Sequence, residues 1–205
     1  MIPLLQIFEA PTSLAVRSDA PWKTLDDFLK DAKQRPNALR VGMSGRFDLL
    51  HVQMERLQEL SGARMTLVPF GAGQQIPALL GGTADAAISQ PTVQLPHIQA
   101  GKMRMLGVFG VKRIPGLDVP TIKEQGYDIT QIPYEFLIAP KGTPEAALEK
   151  LRSGFKKAME TEAFKAHAEK VSVQISYLSG ADLAKKLEAD DKVYKEVAQR
   201  LGWAN

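Results

Sequence analysis

With 205 residues, 44% of them apolar and 24% charged, the chain is long enough for one full domain or two small lobes around a buried core. The formal net charge is +3, and lysine and arginine alternate with aspartate and glutamate through the helical segments, which describes a solvated surface and excludes the basic stripe of a nucleic-acid footprint. Cysteine is absent, so there is neither a disulfide framework nor thiolate chemistry, and no apolar run reaches the roughly 18 residues of a membrane-spanning helix.

In chain order, Thr24 to Asp27 forms a capping box, in which the threonine hydroxyl accepts from an early helical N–H. Leu25, Phe28, Leu29 and Ala32 follow at helical spacing, and Pro36 closes the segment. A strand is expected over 39–41. Asp48 then opens a helix whose stripe is Leu50, Met54 and Leu57 and whose stop is Gly62. Strands over 64–68, 84–89 and 102–109 alternate with helices over 74–80, ended by Gly81 and Gly82, and over 91–100, ended by Gly101. Residues 110–133, rich in glycine and proline (Gly110, Pro115, Gly116, Pro120, Gly126, Pro133), read as a hinge-bearing connection.

Beyond it a strand is expected over 134–139. Thr143 as N-cap and Pro144 at the first helical position then start a helix with Ala147, Leu148, Leu151, Phe155 and Met159 on one stripe. A shorter helix over 162–170 leads to a strand over 173–177, and Ser179 to Asp182 caps a long last helix ending near Gly202. Strand and helix alternate throughout, so the fold class is α/β with largely parallel pairing. The aromatic residues Phe28, Phe155, Phe164, Tyr194 and Trp203 fall on helix stripes or ends and are expected to pack in the core.

Three segments could meet a ligand. The turn holding Gly42, Ser44, Gly45, Arg46, Phe47 and Asp48 joins a strand to a helix and directs successive N–H groups, with the positive end of the helix dipole, at whatever sits beside it. A carboxylate is the natural guest, although a plain turn whose glycines only permit tight geometry explains the composition equally well. The loop of Phe70, Gly71, Ala72, Gly73 and Gln74, followed by Gln75, has the same strand-to-helix placement. Ser89 and Gln90 end the next strand and face the same crevice, because ligands of open α/β sheets sit outside the carboxyl ends of strands.

An enzymatic reading finds little support. The sequence at Ser44 partly matches a nucleophile elbow, but Arg46 stands where that turn needs glycine, and no supporting acid and histidine follow. His51, His97 and His167 are widely separated and lack metal-ligand spacing. His51 is expected to stabilise its loop, and no catalytic residue, metal or cofactor is assigned.

Lys112 and Arg113, then Asp118 to Thr121, Glu124 and Gly126, and later Ala139, Pro140 and Gly142 to Pro144, resemble the signature of the Bug-type periplasmic receptors of tripartite tricarboxylate transporters. Ala20 to Asp27 with Pro36, Gly42 to Gly45 with His51, Val68 to Phe70, Ala78 to Gly82 with Asp85, and Ala100 to Arg104 with Leu106 match that family in order. The resemblance implies a two-lobed architecture like that of type II periplasmic binding proteins, with a second lobe over 14–133 and a partial first lobe over 1–13 and 134–205. It further implies a periplasmic solute receptor, not an enzyme, that closes by a hinge on a small di- or tricarboxylate-like organic acid and presents it to membrane transporter subunits. Relative to the family the chain is expected to lack the export signal and the opening of the first lobe, leaving C-terminal helices exposed for a homodimer and binding weak or absent.

Two residues depart from the family pattern. Phe47 stands at the second glycine and is expected to prefer a negative φ, and Asp48 replaces a hydroxyl residue. Asp48 would place an anion where an anionic ligand approaches, unless it caps the helix or Arg46 offsets it. The loop after Phe70 is about a residue short and lacks the usual basic or bulky polar residue. The alternatives are a cytoplasmic ligand-sensing α/β module and a pseudoreceptor that binds no solute.

Overall fold

The structure, a computed structural model, describes residues 1–114, 116–170 and 173–203. Its contacts divide the chain into two compact units, Pro11–Ile132 and Met1–Ala10 with Pro133–Asn205.

The central unit is built on a five-stranded sheet. Strands β2 (Ser13–Arg17), β3 (Arg40–Met43), β4 (Thr66–Pro69), β5 (Ala86–Ser89) and β6 (Met103–Val108) lie in the order β4-β3-β5-β2-β6. Strand β3 pairs parallel with β4 and β5, whereas β2 is antiparallel to both β5 and β6. Alternate residues of the inner strands face two cores. Leu14, Val16, Ala86 and Ile88 pack with Phe28, Leu29, Met54 and Leu57, while Ala15 and Ala87 pack with Ile76, Leu79 and Met103. Helices α1 (Leu25–Gln34) and α2 (Leu49–Ser61) supply the first set, α3 (Gln75–Leu80) part of the second, and α4 (Pro91–Gln99) runs between β5 and β6. Burial on both faces explains why these strands read as continuous apolar runs without alternation.

Helix α1 begins at the expected capping box, in which the Asp27 N–H donates to Thr24 Oγ1 at 3.1 Å and the Thr24 N–H donates to Asp27 Oδ2 at 3.0 Å. Residues 110–132 do not stand apart as a connection. A bridge from Val108 to Thr121 and the burial of Ile122, Ile129 and Ile132 fasten them to the central unit's core. Pro115 lies outside the described residues. Thr12 and Ser13, ahead of the expected lobe start at 14, also belong to this unit, since Ser13 is opposite both Ser89 and Val108.

The other unit carries a three-stranded sheet of β7 (Tyr134–Ala139), β1 (Ile2–Glu9) and β8 (Gln174–Ser179), antiparallel throughout. Its helices are α5 (Glu145–Met159), α6 (Glu162–Lys170) and α7 (Gly180–Arg200). Leu4, Ala139 and Leu148 form its apolar centre, and Phe8 stacks on Phe164 with ring centroids 5.1 Å apart. Gly180 is required where it stands, because a Cβ there would come within 2.5 Å of the Pro3 carbonyl oxygen.

Three expectations are corrected here. Pairing is mostly antiparallel, because the segments that form β1 and β2 were not anticipated as strands and both pair against their neighbours. Pro144, with ψ 140, is the N-cap of α5 and not its first residue, since the Thr143 hydroxyl donates instead to the Pro140 carbonyl at 2.9 Å. Phe155 is not a core residue and remains 37% exposed.

Candidate functional site

Parallel pairing decides where the site lies. Because β3, β4 and β5 run in one direction, the loops that follow them leave the same end of the central sheet: 44–48 into α2, 70–74 into α3, and Gln90 into α4. Strand β2 runs the other way and brings Ser13 opposite Ser89 at that end.

The first loop is held by its own side chains. The Ser44 hydroxyl donates to Asp48 Oδ2 at 2.7 Å, and the His51 N–H donates to Asp48 Oδ1 at 3.0 Å, which makes Asp48 the N-cap of α2. The Phe47 N–H donates to His51 Nδ1 at 3.0 Å, which leaves the imidazole proton on Nε2, 3.5 Å from Glu55 Oε1. His51, itself buried, thus ties the loop to the helix. Gly45 lies so close to the cap that a Cβ there would sit 3.3 Å from Asp48 Oδ2.

Asp48 therefore spends both oxygens inside the protein, and the N-terminus of α2 is already supplied with an anion. Arg46 is exposed, and among the described residues no ion pair joins it to Asp48. Phe47 departs from the expectation of a negative φ: its φ is 65° and its side chain is 60% exposed. A left-handed conformation costs a bulky L-residue about 1 kcal/mol, and the hydrogen bonds on either side of Phe47 hold it there.

In the second loop the Phe70 N–H donates to the Met43 carbonyl at 3.0 Å, which binds the first and second loops at their roots. The Phe70 ring closes over Gly42, where a Cβ would meet Phe70 Cδ2 at 3.3 Å and Gln75 Cβ at 3.4 Å. Gly71, Ala72, Gly73 and Gln74 form an exposed tip, with φ of 89° at Gly71 and 80° at Gly73. Gln74 and Gln90 are the N-caps of α3 and α4, and neither makes a side-chain capping bond. Pro77 and Pro91 have no N–H and the Val93 N–H donates to the Gln90 carbonyl at 3.1 Å, so among the described residues the first-turn amides open to another acceptor are those of Gln75 and Ile76 in α3 and Thr92 in α4.

Sequence reasoning named Gln75 and Ser89 but passed over Thr12, Ser13, Gln53 and Gln94, the other buried polar residues behind the loops. Gln75 is only 4% exposed; its Nε2 donates to Ser89 Oγ at 3.3 Å, and its Oε1 has no hydrogen-bond partner among the described residues. Thr12 Oγ1 donates to Gln53 Oε1 at 2.8 Å, and Gln53 Nε2 donates to the Gln131 carbonyl at 2.6 Å. Ser13 Oγ donates to Gln94 Oε1 at 2.7 Å, and Gln94 Nε2 returns a bond to the Ser13 carbonyl at 3.0 Å. The signal was present as glutamines interrupting apolar helix stripes, Gln53 between Val52 and Met54 above all. Among the described residues no cluster of three or more histidine or acidic side chains could hold a metal ion.

An α/β core on a mixed sheet, whose parallel strands end in loops that gather amides, hydroxyls and one cation, joined to a second antiparallel unit, has the fold of a periplasmic solute-binding protein. The chain belongs to the tripartite tricarboxylate transporter receptor family, whose model matches residues 1–203. It is 33% identical over 193 residues to a UPF0065 protein encoded in the gbd 5' region of Cupriavidus necator, covering 93% of this chain and 59% of that one. It is 26% identical to the protein BugT of Bordetella pertussis over 166 residues, 80% of this chain and 51% of the relative. Among solved structures, a ligand-free solute-binding protein of the same family from Polaromonas superposes with a TM-score of 0.86 at 29% identity, covering 97% of this chain and 69% of that chain. An R. palustris protein solved with adipate gives a TM-score of 0.81 at 25% identity, covering 98% and 68%. The chain thus spans about half to three-fifths of the length of these curated relatives.

Proposed function

We propose that the chain is a solute-binding component of a tripartite tricarboxylate transport system, working in the periplasm and taking a small organic carboxylate against the loops 44–48, 70–74 and 89–90. The observation that carries this reading is the convergence of three βα loops at one end of the central sheet, two of them opening helices without side-chain caps, in a chain of the receptor family. In this reading Ser44, Gly45 and Arg46 line one side, Phe70, Gly71, Ala72, Gly73 and Gln74 a second, and Ser89 with Gln90 the floor. Asp48 and His51 shape the first loop from within. Capture works by the hinge closure that the family resemblance implies, involves no covalent step, and hands the solute to membrane transporter subunits. The relative solved with adipate agrees with a carboxylate as the class of solute.

Self-association belongs to the same reading. Leu151 and Phe155 on α5, with Ile175 and Tyr177 on β8, leave large apolar side chains exposed on one unit, and a depression over α5 is lined by Ala147, Lys150, Leu151, Gly154, Phe155 and Ala158. Covering such a face with a second copy is an inexpensive route to a dimer. The function is tested by titrating the full chain with mono-, di- and tricarboxylates in a calorimeter. Heat that saturates with at least one of them, and is lost in the double variant Ser44→Ala, Ser89→Ala, supports the assignment; binding that is indifferent to both serines removes the site.

A further inference from the structure

We propose that Gln53 is the positioning residue of the hinge: it clamps both chain connections between the two units and ties them to the helix that carries the first solute loop. The inference rests on the proposed receptor function and adds to it the element through which solute and hinge communicate.

The chain passes between its two units twice, at 10–11 and at 132–133. On the side of the antiparallel unit the two passages are fastened by the pairing of Glu9 with Tyr134 and by the Ala10 N–H, which donates to the Pro133 carbonyl at 2.8 Å. On the side of the central unit one side chain holds both. Thr12 Oγ1 donates to Gln53 Oε1 at 2.8 Å, and Gln53 Nε2 donates to the Gln131 carbonyl at 2.6 Å. Only 10–11 and 132–133 lie between these fastenings, and Pro11 and Pro133 fix one torsion in each passage. A hinge absorbs its rotation in a few residues of this kind, so bending is confined to the backbone of these four.

Packing does not explain Gln53. It is fully buried on α2 between Val52 and Met54, where an apolar side chain of the same volume would fill the space without desolvating an amide. Both ends of its amide are satisfied by the two connections and, among the described residues, by nothing else. Five residues earlier Asp48 caps the same helix, and Ser44 of the first solute loop is bonded to that cap. A carboxylate that shifts the loop therefore acts on a helix whose second turn grips both passages, and a rigid element of this kind carries coupling between two sites.

The test is hydrogen–deuterium exchange on the full chain without solute, comparing the unaltered protein with Gln53→Met and Thr12→Val, with a thermal melt on each variant to establish that it is folded. In Gln53→Met both passages are expected to exchange about tenfold faster, as the loss of a buried hydrogen bond allows. The larger effect is expected at 130–134, because the Thr12 carbonyl keeps its bond from the Phe109 N–H at 2.8 Å. Strand β5 should be unchanged, and Thr12→Val should loosen the segment 9–13 alone. Faster exchange spread evenly through the central unit would show that Gln53 only supports the core, and faster exchange at neither passage would show that it clamps nothing; either overturns the inference. Calorimetry with acetate, succinate and citrate then reads the link to the loop: Gln53→Met is expected to weaken whichever of them binds by about fivefold, although Gln53 lies outside the three loops. Unchanged affinity would overturn that link. If none of the three binds the unaltered chain, the receptor function falls, and the exchange comparison still decides the clamp.

Discussion

Replacing Asp48 separates its two possible roles, because cap and charge respond differently to different substitutions. The side chain accepts from the His51 amide at 3.0 Å and from the Ser44 hydroxyl at 2.7 Å. Asp48→Ala removes both bonds; loss of an N-cap costs about 1 kcal/mol, and a hydroxyl bond whose donor can be rehydrated adds about 0.5 kcal/mol. The sum, roughly 1.5 kcal/mol, corresponds to a fall of about 5 °C in Tm for a body of this size. Asp48→Ser and Asp48→Asn still cap the helix, so each is expected to stay within about 0.5 kcal/mol of the parent. Urea titration of the three variants at one pH reads the comparison directly. On the binding side, removal of a negative charge beside a carboxylate site strengthens binding by on the order of 1 kcal/mol, so Asp48→Ser is expected to bind carboxylates about fivefold tighter. If Asp48→Ser is as unstable as Asp48→Ala, the capping account of the loop is wrong. If it binds carboxylates more weakly, Asp48 contacts the solute and does not oppose it.

Further outcomes follow from other parts of the structure. Phe47→Gly relieves the left-handed strain of about 1 kcal/mol and gives up little buried surface, so the melting point is expected to hold or rise slightly; a clear fall would show that the ring packs more tightly than its exposure indicates. Gln75→Leu removes the bond to Ser89 and the buried Oε1 together, so differential scanning calorimetry should find stability nearly unchanged while carboxylate titration weakens; unchanged binding would make Gln75 a packing residue alone. The Asp31 carboxyl is held below its usual range by the Arg35 guanidinium and, to a lesser extent, by the Trp22 indole N–H. A lowered folded-state value means that its contribution is complete above the unfolded value near 3.8 and disappears as pH falls through the folded one, so Asp31→Asn should flatten the acid limb of the stability curve below about pH 4. An unchanged acid limb in the variant would place that proton uptake elsewhere. Light scattering across a range of concentrations should show association that Phe155→Glu suppresses, and a strictly monomeric parent would remove the dimer.

The helices were legible in the sequence wherever a cap or a glycine stop announced them. Thr24 and Asp27, Asp48, Gly62 and Ser179 all act at the helix ends where local side-chain chemistry puts them. Pairing direction was not legible, because it is settled by long-range register: nothing local marks Leu14 to Val16 as a strand inserted between β5 and β6. The site was readable as loops and unreadable in detail. Glycines and strand ends locate 44–48 and 70–74, but the left-handed φ of Phe47 goes with the His51 bond, and the buried Gln75 packs with Phe70 against Gly42. Both are tertiary effects on residues whose own preferences point elsewhere.

The amides of the three loops are where a carboxylate would be held, and an amide-resolved NMR titration of the full chain with mono-, di- and tricarboxylates reads them one by one. The expected result is a saturable shift concentrated at 44–48, 70–75 and 89–92. Shifts spread evenly over the surface, or none with any carboxylate at millimolar concentration, would contradict the claim that these loops form a solute site.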